Sequence, residues 1–296
     1  MAGAAGGTLA GQVSLGGGFG FLSAGYGTTP DEFKEQLSLA RSTFPPTSQL
    51  PVGVGYLGWQ LEKRNSESIW LAFGENLGKW VQFVRDHDTR MGKDKKTVVF
   101  VQISTVEEAL VAVNEWNGGH GASYALPLLN LVPSILSAMP VNSPPVLAAG
   151  GLANGGHIAA VLTLGASGAV LGTRFLLAYE SLYSDAQRQA LIGARSSLSV
   201  RSMAWDHARG TLEWPVGVDG RGLRNSTVVD FEQEVGIENL QKKFKEGLEN
   251  QDTDRMIVWA GTGVGLMNQT QSAKSIVEEL HRECIDHLSA ASQLYA

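Results

Sequence analysis

The sequence predicts an α/β protein built on a parallel sheet, which is either open or closed into a barrel. Strand-like and helix-like segments alternate as far as residue 173, a pattern typical of parallel sheets. No Asp, Glu, Lys or Arg occurs from residue 116 to residue 173, as expected for strands covered on both faces. Glycine makes up 36 of the 296 residues, against a usual ~7%, which predicts many tight turns or close approaches to a ligand.

Six segments are predicted to be strands: residues 18–23, 51–57, 69–73, 98–103, 146–149 and 169–171. The first predicted helix starts at Thr29, where Pro30 fits the first helical position and Glu32 completes a capping box with Thr29. Residues 76–84 and 156–164 have helical spacing of apolar side chains, and Ser104 with Glu107 is expected to cap another helix.

The last third of the chain differs in composition and defines a second predicted unit. Residues 184–296 are more polar and end in an amphipathic helix over residues 272–288. Ile276, Leu280, Cys284 and Leu288 lie on one stripe of that helix, so Cys284 is expected to be a buried core thiol. We therefore predict a sheet-based unit over residues 1–183 and a C-terminal cap over residues 184–296, packed onto it.

Composition excludes several classes of protein. A net charge of −6 argues against a general nucleic-acid binder and against a polybasic membrane-surface protein. The lone Cys284 excludes an intrachain disulfide and a multi-cysteine metal site. Glycines and prolines interrupt the charge-free run before it reaches the ~20 apolar residues of a membrane span. With no secretory signal at the N-terminus, we expect a cytoplasmic protein without nucleic-acid or membrane partners.

Two glycine-containing loops predict a phosphate site. VLAAGG at residues 146–151 follows one strand, and Gly172-Thr173 follows the next, with a helix between them. Glycine lets backbone N–H groups approach an anion, and a helix N-terminus favours negative charge. The alternative is that these glycines only allow tight strand-to-helix turns. We favour the phosphate site because the pattern occurs at two successive strands.

A histidine between glycines is the strongest candidate for proton chemistry. His120 lies in Gly118-Gly119-His120-Gly121, where it cannot be packed as a helix histidine. A formal match to a dinucleotide-binding fingerprint is formed by Gly53, Gly55 and Gly58. Strand-like residues run through this motif, so we reject a Rossmann site and interpret Gly55 only as a position where the backbone approaches a ligand closely. The sequence predicts no metal site and contains no nucleophile elbow.

Seven segments in a fixed order resemble the nitronate monooxygenases, formerly called 2-nitropropane dioxygenases. They are MAGAAGGTLA, GGFGFLSAGY, VFVQISTVEEAL, GGHG, VLAAGGLANGG, GAVLGTRFLLAYES and WAGTGVGLM. The resemblance implies a TIM barrel with one non-covalent FMN in residues 1–183. It also implies an enzyme that oxidises anionic alkyl nitronates with dioxygen and needs no NAD(P)H, as a monomer or an oligomer.

The resemblance also implies roles for individual residues. His120 takes the catalytic position, and Met1 lies against the isoalloxazine ring. Gly55 stands where many members have a flavin-contacting asparagine, and the loop Trp259-Ala260-Gly261 matches one near the flavin. The remaining cofactor contacts implied are those to the phosphate, the ribityl chain and the flavin: Gly118, Gly151, Val170, Leu171, Gly172 and Thr173.

Two departures from the family pattern predict an incomplete barrel and an impaired enzyme. Family members begin with a strand before the motif methionine, whereas this sequence starts at Met1. They also carry a strand ending in Gln-Gly before Gly-Gly-His, and only about four residues separate the helix near Val113 from Gly118. Either the sequence derives from an incomplete gene prediction or splice form, or the chain is a degenerate relative. The alternatives are a non-catalytic FMN- or phosphate-binding remnant and a flavin-dependent enoyl reductase that uses NAD(P)H.

Overall fold

The computed structural model describes residues 3–23, 28–55, 77–92, 97–114, 125–212, 214 and 217–295. The predicted strand over residues 69–73 lies outside these ranges. Within them, every helix falls short of the length or the apolar composition that crossing a bilayer requires. No group of three or more His, Cys, Asp or Glu side chains in these ranges could hold a metal ion.

The chain opens with a helix that the sequence did not predict, α1 (Gly7–Leu15), which packs on α2 (Pro30–Ser42). Between them runs β1 (Gly20–Ser23), which pairs in parallel with β2 (Val52–Gly55). A Cβ at Gly20 would lie 2.0 Å from the Ala10 carbonyl oxygen. Only glycine therefore allows α1 to lie so close to β1.

The capping box predicted for α2 is confirmed. The Thr29 hydroxyl accepts from the Glu32 N–H, and the Glu32 carboxylate accepts from the Thr29 N–H at 2.8 Å. The Thr29 N–H and the Thr29 hydroxyl both donate to the Glu32 carboxylate and hold the pKa of Glu32 below its usual range, because they favour the charged form. The reciprocal pairing satisfies two N–H groups that a helix start otherwise leaves without partners.

Among the described residues, three further helices precede the second strand pair: α3 (Leu77–Arg90), α4 (Val106–Asn114) and α5 (Leu128–Ala138). The prediction of a strand over residues 98–103 was wrong, because only Val101 makes a bridge there. The predicted cap of α4 was one residue early. The Thr105 hydroxyl accepts from the Glu108 N–H at 3.0 Å, and the Glu108 carboxylate accepts from the Ser104 N–H.

The second parallel pair joins β3 (Leu147–Ala149) to β4 (Gly168–Val170), with α6 (Gly155–Thr163) between them and α7 (Thr173–Leu176) after them. Asn154 caps α6 by accepting from the His157 N–H at 2.9 Å. One face of the pair packs under the helices in a core cluster with these members: Val132, Ala148, Leu152, Val161 and Ala166.

The last third contains an antiparallel pair, β5 (Ser199–Ser202) with β6 (Gly220–Leu223), that the sequence did not predict. The helices of this part are α8 (Asp185–Ile192), α9 (Ala204–Arg209), α10 (Ser226–Glu232), α11 (Ile237–Glu249) and α12 (Ala273–Ser292).

Both predicted units contribute to the same core. One buried cluster contains Ala153 and Leu176 from the first unit together with Leu223 and Val258 from the second. The division at residue 183 stays a prediction. On α12, Ile276, Leu280 and Cys284 are buried as predicted, but Leu288 is 39% exposed, so the stripe ends one turn early.

Candidate functional site

The two predicted phosphate loops lie at the carboxyl ends of neighbouring parallel strands. Gly150 and Gly151 follow β3 with φ angles of +109° and +72°, a left-handed backbone that disfavours any side chain. No atom of the described residues would lie within 4 Å of a Cβ at Gly150. The backbone conformation therefore requires glycine at position 150, and the described residues leave space beside it for a ligand.

A third loop meets the first two. The Gly261 N–H donates to the Thr173 hydroxyl oxygen at 2.9 Å. A Cβ at Gly261 would lie 3.6 Å from the Gly151 nitrogen, and one at Gly263 would lie 2.5 Å from the Gly151 carbonyl oxygen. Residues 150–151, 172–173 and 261–263 therefore converge, and we call these three loops the cradle.

The cradle retains hydrogen-bond donors for a ligand. Thr173 is 9% exposed and its oxygen accepts from Gly261, which leaves the hydroxyl hydrogen to donate elsewhere. Within the described part of the chain, the Gly151 N–H donates to no group. A backbone N–H and a hydroxyl in a glycine loop are the donors that phosphate oxygens accept from.

A buried tyrosine fixes the third loop. The Tyr183 hydroxyl accepts from the Trp259 N–H at 2.8 Å, and the Tyr183 side chain is buried. Burial raises the pKa of Tyr183, because the phenolate would lose its hydration. The neutral hydroxyl therefore holds the backbone two residues before Gly261 across the physiological pH range.

The face of β3 and β4 opposite the helices is apolar and open. Leu147 is 37% exposed and Val170 is 39% exposed, whereas Ala148 between the exposed positions is buried. Ala149 and Val170 are register partners, so their side chains lie on the same face. In a complete TIM barrel this face is interior and is filled by side chains from other strands.

Comparison with known proteins identifies the family. The sequence profile of the nitronate monooxygenases matches residues 61–283. The chain belongs to the nitronate monooxygenase family. It is 29% identical to a nitronate monooxygenase of Neurospora crassa, with 96% of this chain and 87% of the relative covered. It is 30% identical to nitronate monooxygenase npaC of Metarhizium robertsii, with 92% and 85% covered.

Solved structures support a barrel of this kind. FabK from Thermotoga maritima superposes with a TM-score of 0.76 at 21% identity, covering 99% of this chain and 93% of that one. Nitroalkane oxidase from Streptomyces ansochromogenes superposes with a TM-score of 0.75 at 24% identity, covering 98% and 95%. At these identities the likeness concerns the fold, which is of the TIM-barrel type.

Gly55 lies at the carboxyl end of β2, and the N-terminal segment connects that strand end to the cradle side of the fold. Gly55 pairs with Ser23, and the Ser23 N–H donates to the Ala5 carbonyl oxygen at 3.1 Å. Ala5 packs in the cluster that contains Leu171. The carboxyl ends of β1, β2 and β4 therefore share neighbours, although no contact joins Gly55 to the cradle among the described residues.

Three residues expected in this family site lie outside the described residues: Met1, Gly118 and His120. The structure brings together Gly151, Gly172 and Thr173, and it places Val170 and Leu171 directly before them. Sequence reasoning missed Thr262 and Gly263. The only signal for these two residues was the glycine spacing in WAGTGVGLM. That spacing does not show which other loop of the protein this segment contacts.

Proposed function

We infer that the chain is a flavin-dependent oxidoreductase that binds FMN through its phosphate at the cradle and oxidises alkyl nitronates with dioxygen. The observation that carries the proposal is the convergence of three glycine loops at adjacent strand ends, with Thr173 at their centre. Family membership gives the reaction class. The donors of Gly151 and Thr173 fit a phosphate, and the open space beside Gly150 leaves room for it.

The residues of the chain would mainly bind and orient. When bound, FMN would supply the redox chemistry by which dioxygen oxidises the nitronate. Because a nitronate is already an anion, His120 is not needed to remove a proton from carbon. We assign to His120 the orientation or protonation of the nitronate, to Gly118 and Gly55 close approach to the flavin, and to Met1 contact with its ring.

We further propose that the barrel is incomplete, and that the chain is therefore a weak enzyme. The alignment with the Neurospora crassa relative supports this. It spans 340 positions, more than the 296 residues of this chain, so the relative has residues at many positions where this chain has none.

A charge placed in the cradle tests the phosphate assignment. Gly151→Asp puts a carboxylate beside the proposed phosphate and should abolish FMN retention through gel filtration. Gly151→Ala is the matched control, because it shares the backbone strain at φ +72° and the contact with Thr262 but adds no charge. If Gly151→Asp retains FMN as well as Gly151→Ala does, the phosphate is bound elsewhere.

Inserting a strand tests the incomplete barrel. A family-like strand inserted before Gly118 should raise soluble yield, FMN occupancy and nitronate oxidation together. A catalytic group displaced by ~1 Å can lose ~100-fold in rate, so a strand-sized gap before Gly118 predicts a large effect. A monomeric, fully flavin-loaded protein with ordinary nitronate turnover from the unmodified chain would contradict this proposal.

A further inference from the structure

Helix α12 contacts the start of α6 at a distance that only glycine permits. A Cβ at Gly155 would lie 2.3 Å from Glu283 Cβ, 2.4 Å from the Cys284 nitrogen and 2.6 Å from the Leu280 carbonyl oxygen. Because two of these three atoms belong to the α12 backbone, a side chain at Gly155 would force the helices apart. This contact holds Gly155, which follows the first cradle loop, against Glu283, 128 positions later in the chain.

Glu283 occupies the N-terminus of α6. Its Oε2 atom accepts from the Gly155 N–H at 2.8 Å, while Asn154 accepts from the His157 N–H and His157 Nδ1 accepts from the Ala153 N–H at 3.2 Å. A carboxylate at a helix N-terminus is favoured by the helix dipole as well as by the hydrogen bond. The Gly155 and His157 N–H groups at this helix start therefore donate to side chains of the protein rather than to a phosphate.

The same helix also holds the second cradle loop. Arg174 follows Thr173 and is only 4% exposed. Its Nη2 atom donates to Gln271 Oε1 at 2.8 Å and lies 3.7 Å from Glu279 Oε1. Burial lowers the pKa of Arg174, and the carboxylates of Glu279 and Glu283 oppose that shift by favouring its charge. Helix α12 therefore contacts both loops, through Glu283 at Gly155 and through Glu279 at Arg174.

We propose that Glu283 is a positioning residue for the phosphate site: its hydrogen bond to Gly155 holds the loop at 150–151 against α12, and Glu279 of the same helix holds Arg174 beside the loop at 172–173. The inference rests on the proposed binding of FMN at the cradle. Glu283 does not touch the phosphate in this arrangement. It acts by holding the backbone that does, so its effect appears only with ligands that carry a phosphate.

The test compares FMN with riboflavin, which has the same ring and ribityl chain but no phosphate. Dissociation constants for both are measured by flavin fluorescence on the full chain freed of flavin, for wild type, Glu283→Ala and Glu283→Gln. Glu278→Gln is the control, because Glu278 lies on the same helix with its side chain 57% exposed and, among the described residues, pairs with Lys274 at 3.7 Å.

The wild type should bind FMN more tightly than riboflavin. Glu283→Ala should weaken FMN binding about tenfold, with riboflavin binding unchanged within about twofold. Glu283→Gln keeps an acceptor for the Gly155 N–H, so its FMN dissociation constant should lie between those of wild type and Glu283→Ala. If Glu283→Ala does not fold, Glu283→Gln tests the positioning role instead.

The remaining outcomes overturn one claim or the other. Equal weakening of FMN and riboflavin by the Glu283 variants, or no weakening of either, overturns the positioning role, and so does an equal loss in Glu278→Gln. A wild type that shows no preference for FMN over riboflavin overturns the proposed phosphate site itself.

Discussion

Replacing Tyr183 with phenylalanine tests how the third cradle loop is held. The change removes the hydroxyl that accepts from the Trp259 N–H at 2.8 Å, in a side chain that is only 6% exposed. A backbone N–H left without a partner costs about 1–3 kcal/mol. For a chain of this size that corresponds to a melting temperature lower by roughly 2–6 °C.

The assay is urea and thermal unfolding of wild type, Tyr183→Phe and Tyr179→Phe. Tyr179 is 65% exposed, so its variant should unfold like the wild type. The pKa of Tyr183 is raised by burial, so its stabilising effect is complete below the unfolded value of about 10 and is lost as the pH rises above it. The difference between wild type and Tyr183→Phe should therefore shrink above about pH 10. Equal stability of Tyr183→Phe and Tyr179→Phe at pH 7 would refute the reasoning.

His120→Asn should retain FMN but lose oxygen uptake with small alkyl nitronates, and wild-type turnover in this variant would show that the assigned role is wrong. Gly155→Ala should destabilise the fold by about 1–3 kcal/mol, because its Cβ overlaps the α12 backbone. Gly193→Ala is the control and should unfold like the wild type in the same assay, because its Cβ would make one ordinary contact at 3.6 Å. Hydrogen bonds and charge from Lys243 and Arg255 hold the pKa of Asp230 below its usual value near 3.8. This carboxylate therefore stabilises the fold above that pH and loses its effect as the pH falls through the lowered pKa. The difference in free energy of unfolding between Asp230→Asn and wild type should become smaller on acidification, and a difference that grows would contradict the pairing.

Local signals in the sequence predicted local structure well. The capping box at Thr29 and Glu32 is confirmed, because both partners lie within one turn and need no tertiary contact. The strands before Gly150 and Gly172 are confirmed within one residue at each end. The capping box needs only residues within one turn, and the two strands need only each other as partners across the single helix between them.

Features that depend on distant parts of the chain were missed. Helix α1 forms where glycines at positions 7, 11 and 20 let it pack on α2 and β1, and glycine in isolation disfavours a helix. The segment 98–103 has strong strand propensity, yet it has no paired neighbour beyond the bridge at Val101 in the described ranges. The contact of Glu283 with Gly155 joins the last helix to the cradle, and no spacing within either segment predicts it.

Oxygen uptake per bound FMN, measured with a small alkyl nitronate in the presence and absence of NADH, tests the central claim most directly. We expect uptake that requires bound FMN, does not consume NADH, is slow in the chain as given, and increases when a strand is inserted before Gly118. NADH consumption coupled to enoyl reduction, or a flavin-loaded chain that never takes up oxygen with a nitronate even after that insertion, would contradict this reaction.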